Sequence, residues 1–249
     1  MQQALDSQCF EMVLQPKMNL QTNSVIAAEA LVRWRLEDGT YLPPSSFVDI
    51  FEKNRFCSKL DFYMLKKAIQ QIRKWIDMGI NPVNISVNQS KIVFYHENYI
   101  SELKSLLEEY NVSGSYITLE VLESTVIEDI DIFNSILTEV KKLGFSVSLD
   151  DFGSGYSSLN VLSKLQIDEL KIDRIFLHTK SEVDNQRTKW ILESIIDIAK
   201  KSQILVVVEG VESKQDDLFI KNLGADVGQG YFYGRPLSIS AFNDLIETK

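Results

Sequence analysis

Residues 12–34 read MVLQPKMNLQTNSVIAAEALVRW. Two apolar runs, Met12 to Gln15 and Val25 to Trp34, predict strands, and only Lys17 to Ser24 lies between them. That connection, which carries Asn19 and Asn23, leaves no room for a crossover helix, whereas a parallel pair needs about a dozen residues or more. The two strands are therefore expected to pair antiparallel. Six further short runs rich in Val, Ile and Leu follow: Val83 to Asn88, Tyr116 to Glu120, Ser146 to Asp150, Glu169 to Asp173, Ile204 to Glu209, and Gly230 to Tyr233. Stretches of helical period separate them. One face runs Leu60, Met64, Leu65, Ala68, Ile69, Ile72, Trp75 and Ile76, with a stop at Gly79. A second runs Ile132, Ile136, Leu137, Val140 and Leu143 to Gly144; a third holds Trp190, Ile191, Ser194, Ile195, Ile198 and Ala199; a fourth has Leu218, Phe219 and Leu223 before Gly224. Eight strands with interleaved helices in 249 residues favour an α/β fold, a (β/α)8 TIM-like barrel with the first strand antiparallel to the rest, over an open doubly wound sheet.

No Pro-, Gly- or Ser-rich linker divides the chain, so residues 1–10 are read as an N-terminal extension and residues 11–249 as one domain. Acids outnumber bases by 35 to 26, a net charge of -9, which argues against wrapping double-stranded nucleic acid or lying on an anionic membrane. The start lacks a signal peptide, and no apolar stretch approaches the roughly 20 residues of a membrane span, so no direct membrane insertion and a cytoplasmic location are expected. Cys9 and Cys57 lie far apart, which suggests neither a disulfide framework nor a thiolate metal site.

In a parallel barrel the working residues sit at the C-terminal strand ends. Here those ends are acidic: Glu29, Glu120, Asp150-Asp151 and Glu209, with Asn88, Lys171, Asp173 and Gln229 at the remaining ones. A single carboxylate at a strand end is usually solvated or caps a helix. Five brought to one rim would repel each other by about 4 kcal/mol per pair at 4 Å and an effective dielectric of 20, so positive charge must sit among them. Five carboxylates against the single Lys171 leave four negative charges, which two divalent cations would neutralise. All-oxygen donors favour a hard cation such as Mg2+ or Mn2+. Two such ions held together imply phosphodiester hydrolysis, because they lower the pKa of a bridging water and stabilise both attacking and leaving oxygens.

Other site types fall away. His96 and His178 are the only histidines, and neither neighbours a nucleophile elbow. Both are read as surface or structural. Gly153-Ser154-Gly155 lacks the third glycine of a dinucleotide fingerprint, and these glycines are expected to let the backbone turn beside the metals. Trp75 and Trp190, on helical faces, are assigned to the core.

The motifs resemble those of the EAL-domain cyclic di-GMP phosphodiesterases over nearly the whole length. They are Glu29-Ala30-Leu31 with Val32-Arg33-Trp34, then Val87-Asn88-Gln89-Ser90, Leu119-Glu120-Val121-Leu122-Glu123-Ser124, and Asp150-Asp151-Phe152-Gly153-Ser154-Gly155-Tyr156-Ser157-Ser158-Leu159. Leu170-Lys171-Ile172-Asp173, Glu209-Gly210-Val211-Glu212 and Gln229-Gly230-Tyr231 complete the order. The resemblance implies a bacterial second-messenger enzyme that hydrolyses cyclic di-GMP to linear pGpG with two Mg2+ or Mn2+ ions. It assigns Glu29, Asn88, Glu120 and Asp150 to one metal and Asp150, Asp151 and Glu209 to the other. Lys171 would orient and help activate the water, and Gln229 would support it. Gln15, Leu31, Arg33 and Asp173 would touch the ligand, Arg33 being suited to a phosphate. Glu123 would hold the loop after the fourth strand, and Glu212 is a second supporting acid; an acid in such a place can equally cap the next helix.

Two departures stand out. Leu122 replaces the usual threonine before Glu123, removing a hydroxyl, and Ser154 replaces a threonine while keeping one. Because many members of that family have lost catalysis, Leu122 keeps open the alternative of a weak or inactive cyclic di-GMP receptor acting through a protein partner. A homodimer and a regulatory domain or partner are compatible with the resemblance.

Overall fold

Strands β1 (Phe10–Asn19) and β2 (Ser24–Arg35) form the expected antiparallel hairpin in the computed structural model, which describes residues 1–123, 130–154, 159–177 and 182–247. Ser124, Gly155 to Ser158 and His178 lie outside the described residues. Strand β1 runs past Gln15, so the connection shrinks to residues 20–23. Pro16 is tolerated inside it for a local reason. Leu14 exchanges both backbone hydrogen bonds with Leu237, at 2.8 Å each, on the side of β1 away from β2. By the period of two, the nitrogen of Pro16 points to that same side, just ahead of the next ladder, where no donor is required.

Strand β3 (Tyr41–Leu42), absent from the sequence reading, adds antiparallel to the end of β2. The parallel series is β4 (Asn84–Gln89), β5 (Ile117–Leu122), β6 (Ser146–Phe152), β7 (Glu169–Ile172), β8 (Leu205–Val208) and β9 (Val227–Gln229). Strand β2 pairs parallel with β4, β9 pairs antiparallel with β1, and the β1–β2 ladder closes the ring. The result is the eight-stranded barrel with one reversed strand. The last strand corrects the expectation: Gly230 to Tyr233, an aromatic run, is a turn. At Gly230 an added Cβ would sit 2.2 Å from the Val211 carbonyl oxygen, so the chain bends against its neighbour instead of extending.

Alternation along the strands sorts side chains into two environments. One parity is apolar: Ile85, Val87, Leu119, Val121, Val147, Leu149, Leu170, Ile172, Val206 and Val208 are buried in the hydrophobic core shared with the helices. The other parity is polar and meets across the barrel interior: Lys17, Glu29, Ser86, Glu120, Ser148, Asp150, Glu169, Lys171 and Gln229 are all buried. Most TIM-barrel interiors are filled with branched apolar residues; this one holds ions.

The helices supply the outer layer. Helices α1 (Gln2–Asp6) and α2 (Val48–Lys53) are short. Helix α3 (Cys57–Asp77) buries Leu60, Met64, Leu65, Ala68, Ile69, Ile72 and Trp75, as its period predicts, and the chain turns at Gly79 with φ +74°. Helices α4 (Lys91–Phe94) and α5 (Tyr99–Tyr110) lie between β4 and β5. Helix α6 (Ile130–Lys142) buries Phe133, Leu137 and Val140 while Ile132 is exposed. Helix α7 is Leu159–Lys164, α8 Glu182–Lys201, α9 Lys214–Leu223 and α10 Ile239–Glu247. Leu218 on α9 is also exposed, with Ile220 buried instead.

Helix α8 corrects the assignment of Trp190 to the core, for that side chain is 58% exposed. The buried stripe is Leu192, Ile195, Ile196 and Ala199. That set is apolar throughout at helical spacing, whereas the face through Trp190 and Ile191 is interrupted by Ser194. Among the described residues no helix is long and apolar enough to cross a membrane.

Candidate active site

The barrel brings the acidic strand ends to one rim around Lys171. Its ammonium lies 2.8 Å from Glu209, 2.9 Å from Asp150, 3.0 Å from Glu120 and 3.5 Å from Glu29. The lysine is 1% exposed, so this is a desolvated cation inside a cage of carboxylates. Glu29 is fixed twice more: Asn88 Nδ2 donates to its Oε1 at 3.0 Å and Gln229 Nε2 to its Oε2 at 2.6 Å.

Asp150, Asp151 and Glu209 offer carboxylate oxygens that all lie within 4.8 Å of one another, a grouping able to hold a metal ion. Local backbone geometry makes it possible. Asp151 adopts a left-handed φ of +57°, tolerated by Asp better than by most side chains, and its N–H donates to Asp150 Oδ1 at 2.9 Å. Two residues later Gly153 has φ +99°, and a Cβ there would lie 2.1 Å from the Phe176 ring. The expected sharp turn at this glycine is thus required on both counts.

Crowding and burial set the protonation of the rim. Burial pushes the carboxyls of Glu29 and Asp150 up against the opposing pull of Lys171, and Asp151 rises through burial and the neighbouring Asp173. Glu209 is pushed up to about 8 by burial, which Lys171 only partly offsets. Glu120 behaves oppositely. Burial would raise it, but the ammonium groups of Lys17 and Lys171 outweigh that, and it lies at about 2. Lys171 itself is held well above its usual range, because the four carboxylates outweigh its own desolvation. Surplus negative charge of this kind is what a divalent cation would relieve. Gln229 adds a further donor, since its Oε1 is buried and has no hydrogen-bond partner. The residues present fit hard cations.

The other sequence-derived positions fall at different distances from this centre. Gln15, Asp173, Glu212 and Gln229 share with Glu29 and Glu209 the wall of a cavity of about 240 Å³. Gln15 Nε2 donates to the Gly234 carbonyl at 3.3 Å, and Asp173 Oδ1 accepts from Ile175 N at 2.8 Å, capping a turn. Glu212 is exposed and its N–H donates to Asp216 within a helix-capping arrangement. Leu31 instead faces a second cavity of about 270 Å³, which also carries Asn88 and Leu122. Arg33 Nη1 donates to the adjacent Val32 carbonyl at 2.9 Å, and Glu123 is buried at the end of β5. His96 is half exposed beside Glu102.

Sequence reading missed Lys17, which is fully buried beneath the rim and bonded to Glu120. Carrying the alternation of β1 two residues past Gln15 would have put it on the interior face.

Comparison with known proteins gives a consistent result. The EAL domain model matches residues 1–236. The chain is 32% identical over 237 residues to the bifunctional diguanylate cyclase/cyclic di-GMP phosphodiesterase MucR of Pseudomonas aeruginosa, covering 95% of this chain and 34% of MucR. It is 33% identical over 246 residues to the cyclic di-GMP phosphodiesterase NbdA of the same organism, covering 99% of this chain and 31% of NbdA. It thus spans about a third of the length of the curated relatives it matches. Among solved structures, the MucR phosphodiesterase in complex with cyclic di-GMP superposes with a TM-score of 0.88 at 32% identity, covering 97% of each chain. The EAL enzyme Bd1971, bound to cAMP and cyclic di-GMP, gives 0.89 at 30% identity over 98% of this chain and 66% of that one. The carboxylate rim therefore belongs to a chain homologous to several cyclic di-GMP phosphodiesterases.

Proposed function

This chain belongs to the EAL domain family, and from that membership we propose that it is a metal-dependent phosphodiesterase hydrolysing cyclic di-GMP to linear pGpG. The observation that carries the reading is the convergence of Glu29, Glu120, Asp150 and Glu209 on Lys171, with Asp151 beside them. Glu29, Asn88, Glu120 and Asp150 would hold one Mg2+ or Mn2+ and Asp150, Asp151 and Glu209 a second, with Asp150 shared. When bound, the cations supply Lewis-acid polarisation of the phosphodiester and activation of water at neutral pH.

The chain's own groups do the rest. Water adds to phosphorus as one P–O3′ bond breaks; the water gives up a proton and O3′ gains one. Lys171, kept protonated by its four carboxylates, is no base here; its N–H donors orient and polarise the water. Gln229, anchored on Glu29 through Nε2, presents its unpartnered Oε1 as an acceptor for that water. Gln15 and Asp173 line the cavity beside the rim and would meet the nucleotide, as would Leu31 and Arg33 on the side of Asn88. Glu123 and Glu212 would brace the neighbouring loops. Replacing Glu29 with Ala should abolish pGpG formation in a chromatographic assay; unchanged turnover would sink the assignment of the site.

One observation favours a receptor reading instead. Leu122 places an apolar side chain, where a hydroxyl is usual in the family, on the wall of the cavity beside Asn88. Tight nucleotide binding without turnover would select that alternative. The cytoplasm is the proposed location; a homodimer and a partner domain are proposed on the family resemblance alone.

A further inference from the structure

Beneath the rim lies a second buried cation, outside the sequence motifs that mark the site. Lys17 reaches across the barrel from β1 and spends all three N–H donors there, on Glu120 Oε1 at 2.8 Å, Glu169 Oε1 at 2.8 Å and Ser86 Oγ at 2.7 Å. Glu120 is therefore held from two levels, its Oε1 by Lys17 and its Oε2 by Lys171 at 3.0 Å. Ser148 stands between Glu120 and Glu169 in the strand register but holds neither of them, for its Oγ is buried with no hydrogen-bond partner.

We propose that Lys17 is a positioning residue for Glu120. By occupying Oε1 from below, it leaves only Oε2 for the rim and fixes the carboxylate as a one-oxygen donor toward a cation. Glu169 balances the charge of Lys17, so the support adds no net charge under the site. Groups that orient metal-holding side chains in this way commonly alter metal affinity by about 10- to 100-fold when removed. The inference rests on the functional reading above, which makes Glu120 a metal donor.

Charge and positioning predict opposite outcomes, which gives the test its force. Deleting Lys17 alone makes the neighbourhood more negative and on charge alone would strengthen cation binding. Deleting Lys17 and Glu169 together leaves the net charge unchanged and removes a buried pair as a unit, which is often neutral for stability. The experiment is Mn2+ titration of metal-free protein, followed by electron paramagnetic resonance, with thermal melting in parallel, on wild type, Lys17→Met, and Lys17→Met/Glu169→Met. Positioning predicts roughly tenfold or weaker Mn2+ binding in both variants, while the melting temperature drops in the single variant and recovers in the double one. Mn2+ binding at the wild-type affinity in the double variant overturns the proposal, and that variant decides the matter if Lys17→Met does not fold. A wild type that binds no Mn2+ would instead overturn the functional reading.

Discussion

Lys17 and Lys171 occupy the same barrel interior, both are essentially inaccessible, and they share Glu120, yet their surroundings differ in charge. Lys17 faces two carboxylates and a hydroxyl. Lys171 faces four carboxylates, with a fifth, Asp151, alongside two of them. Removing one partner from a buried ion pair is costly, and an unbalanced cluster is costlier still, so such a cluster persists only where something offsets it. The lower level is complete in itself and reads as support. The upper level carries a surplus that only added cations relieve, and it reads as the working site.

The largest expected effect comes from cutting into the surplus. Glu29→Ala or Asp150→Asn should drive pGpG formation below detection by chromatography, because each removes a donor held in the cage. Glu169→Gln, on the lower level, should act mainly on stability: it leaves Lys17 with one buried carboxylate fewer, and a drop in melting temperature of several degrees is expected. Equal loss of turnover in both levels would dissolve the distinction.

Next in size is the response to pH. The ordinary carboxyl value for Glu209 is 4.5 and in the folded protein it is pushed up to about 8. Between those limits the folded state binds the proton more tightly than the unfolded chain does, so this contribution to stability is present at low pH and is lost as pH rises through about 8. Glu29 and Asp150, also raised, act in the same direction. The melting temperature of metal-free protein should therefore fall as pH rises from about 5 to 8, and saturating Mn2+ should flatten the slope by taking the place of the protons. A slope that Mn2+ leaves unchanged would separate these carboxyls from the cation.

The smallest effect is expected at the edge of the site. Leu122→Thr restores a hydroxyl on a half-exposed wall position that bonds to no rim carboxylate, so turnover should change by a few-fold at most. Appearance of activity only in that variant would turn the wild type into a receptor.

Much of this arrangement was legible before folding was considered. Glu29, Glu120, Asp150 and Glu209 each end an apolar run, and apolar runs betray buried strands, so a carboxylate at such an end has few explanations besides function. The reversed strand followed from the brevity of the link after Gln15. Three features were hidden for physical reasons. Lys17 follows a proline, which reads as the end of a strand, and only the unpaired side of β1 makes Pro16 acceptable. Gly230 to Tyr233 has the aromatic content of a strand but no room to extend past Val211. Helix α8 is apolar on more than one side, and only packing selects the stripe through Leu192 and Ile196 over the one through Trp190.

The most direct test of the surplus charge as the working site is a titration of metal-free protein with Mn2+ in the presence of cyclic di-GMP, following pGpG by chromatography in wild type and Glu29→Ala. The expected result is no pGpG without the cation, rising turnover as Mn2+ is added to the wild type, and none in the variant at any concentration. Turnover that persists in the thoroughly metal-free protein, or that survives in Glu29→Ala, would contradict it.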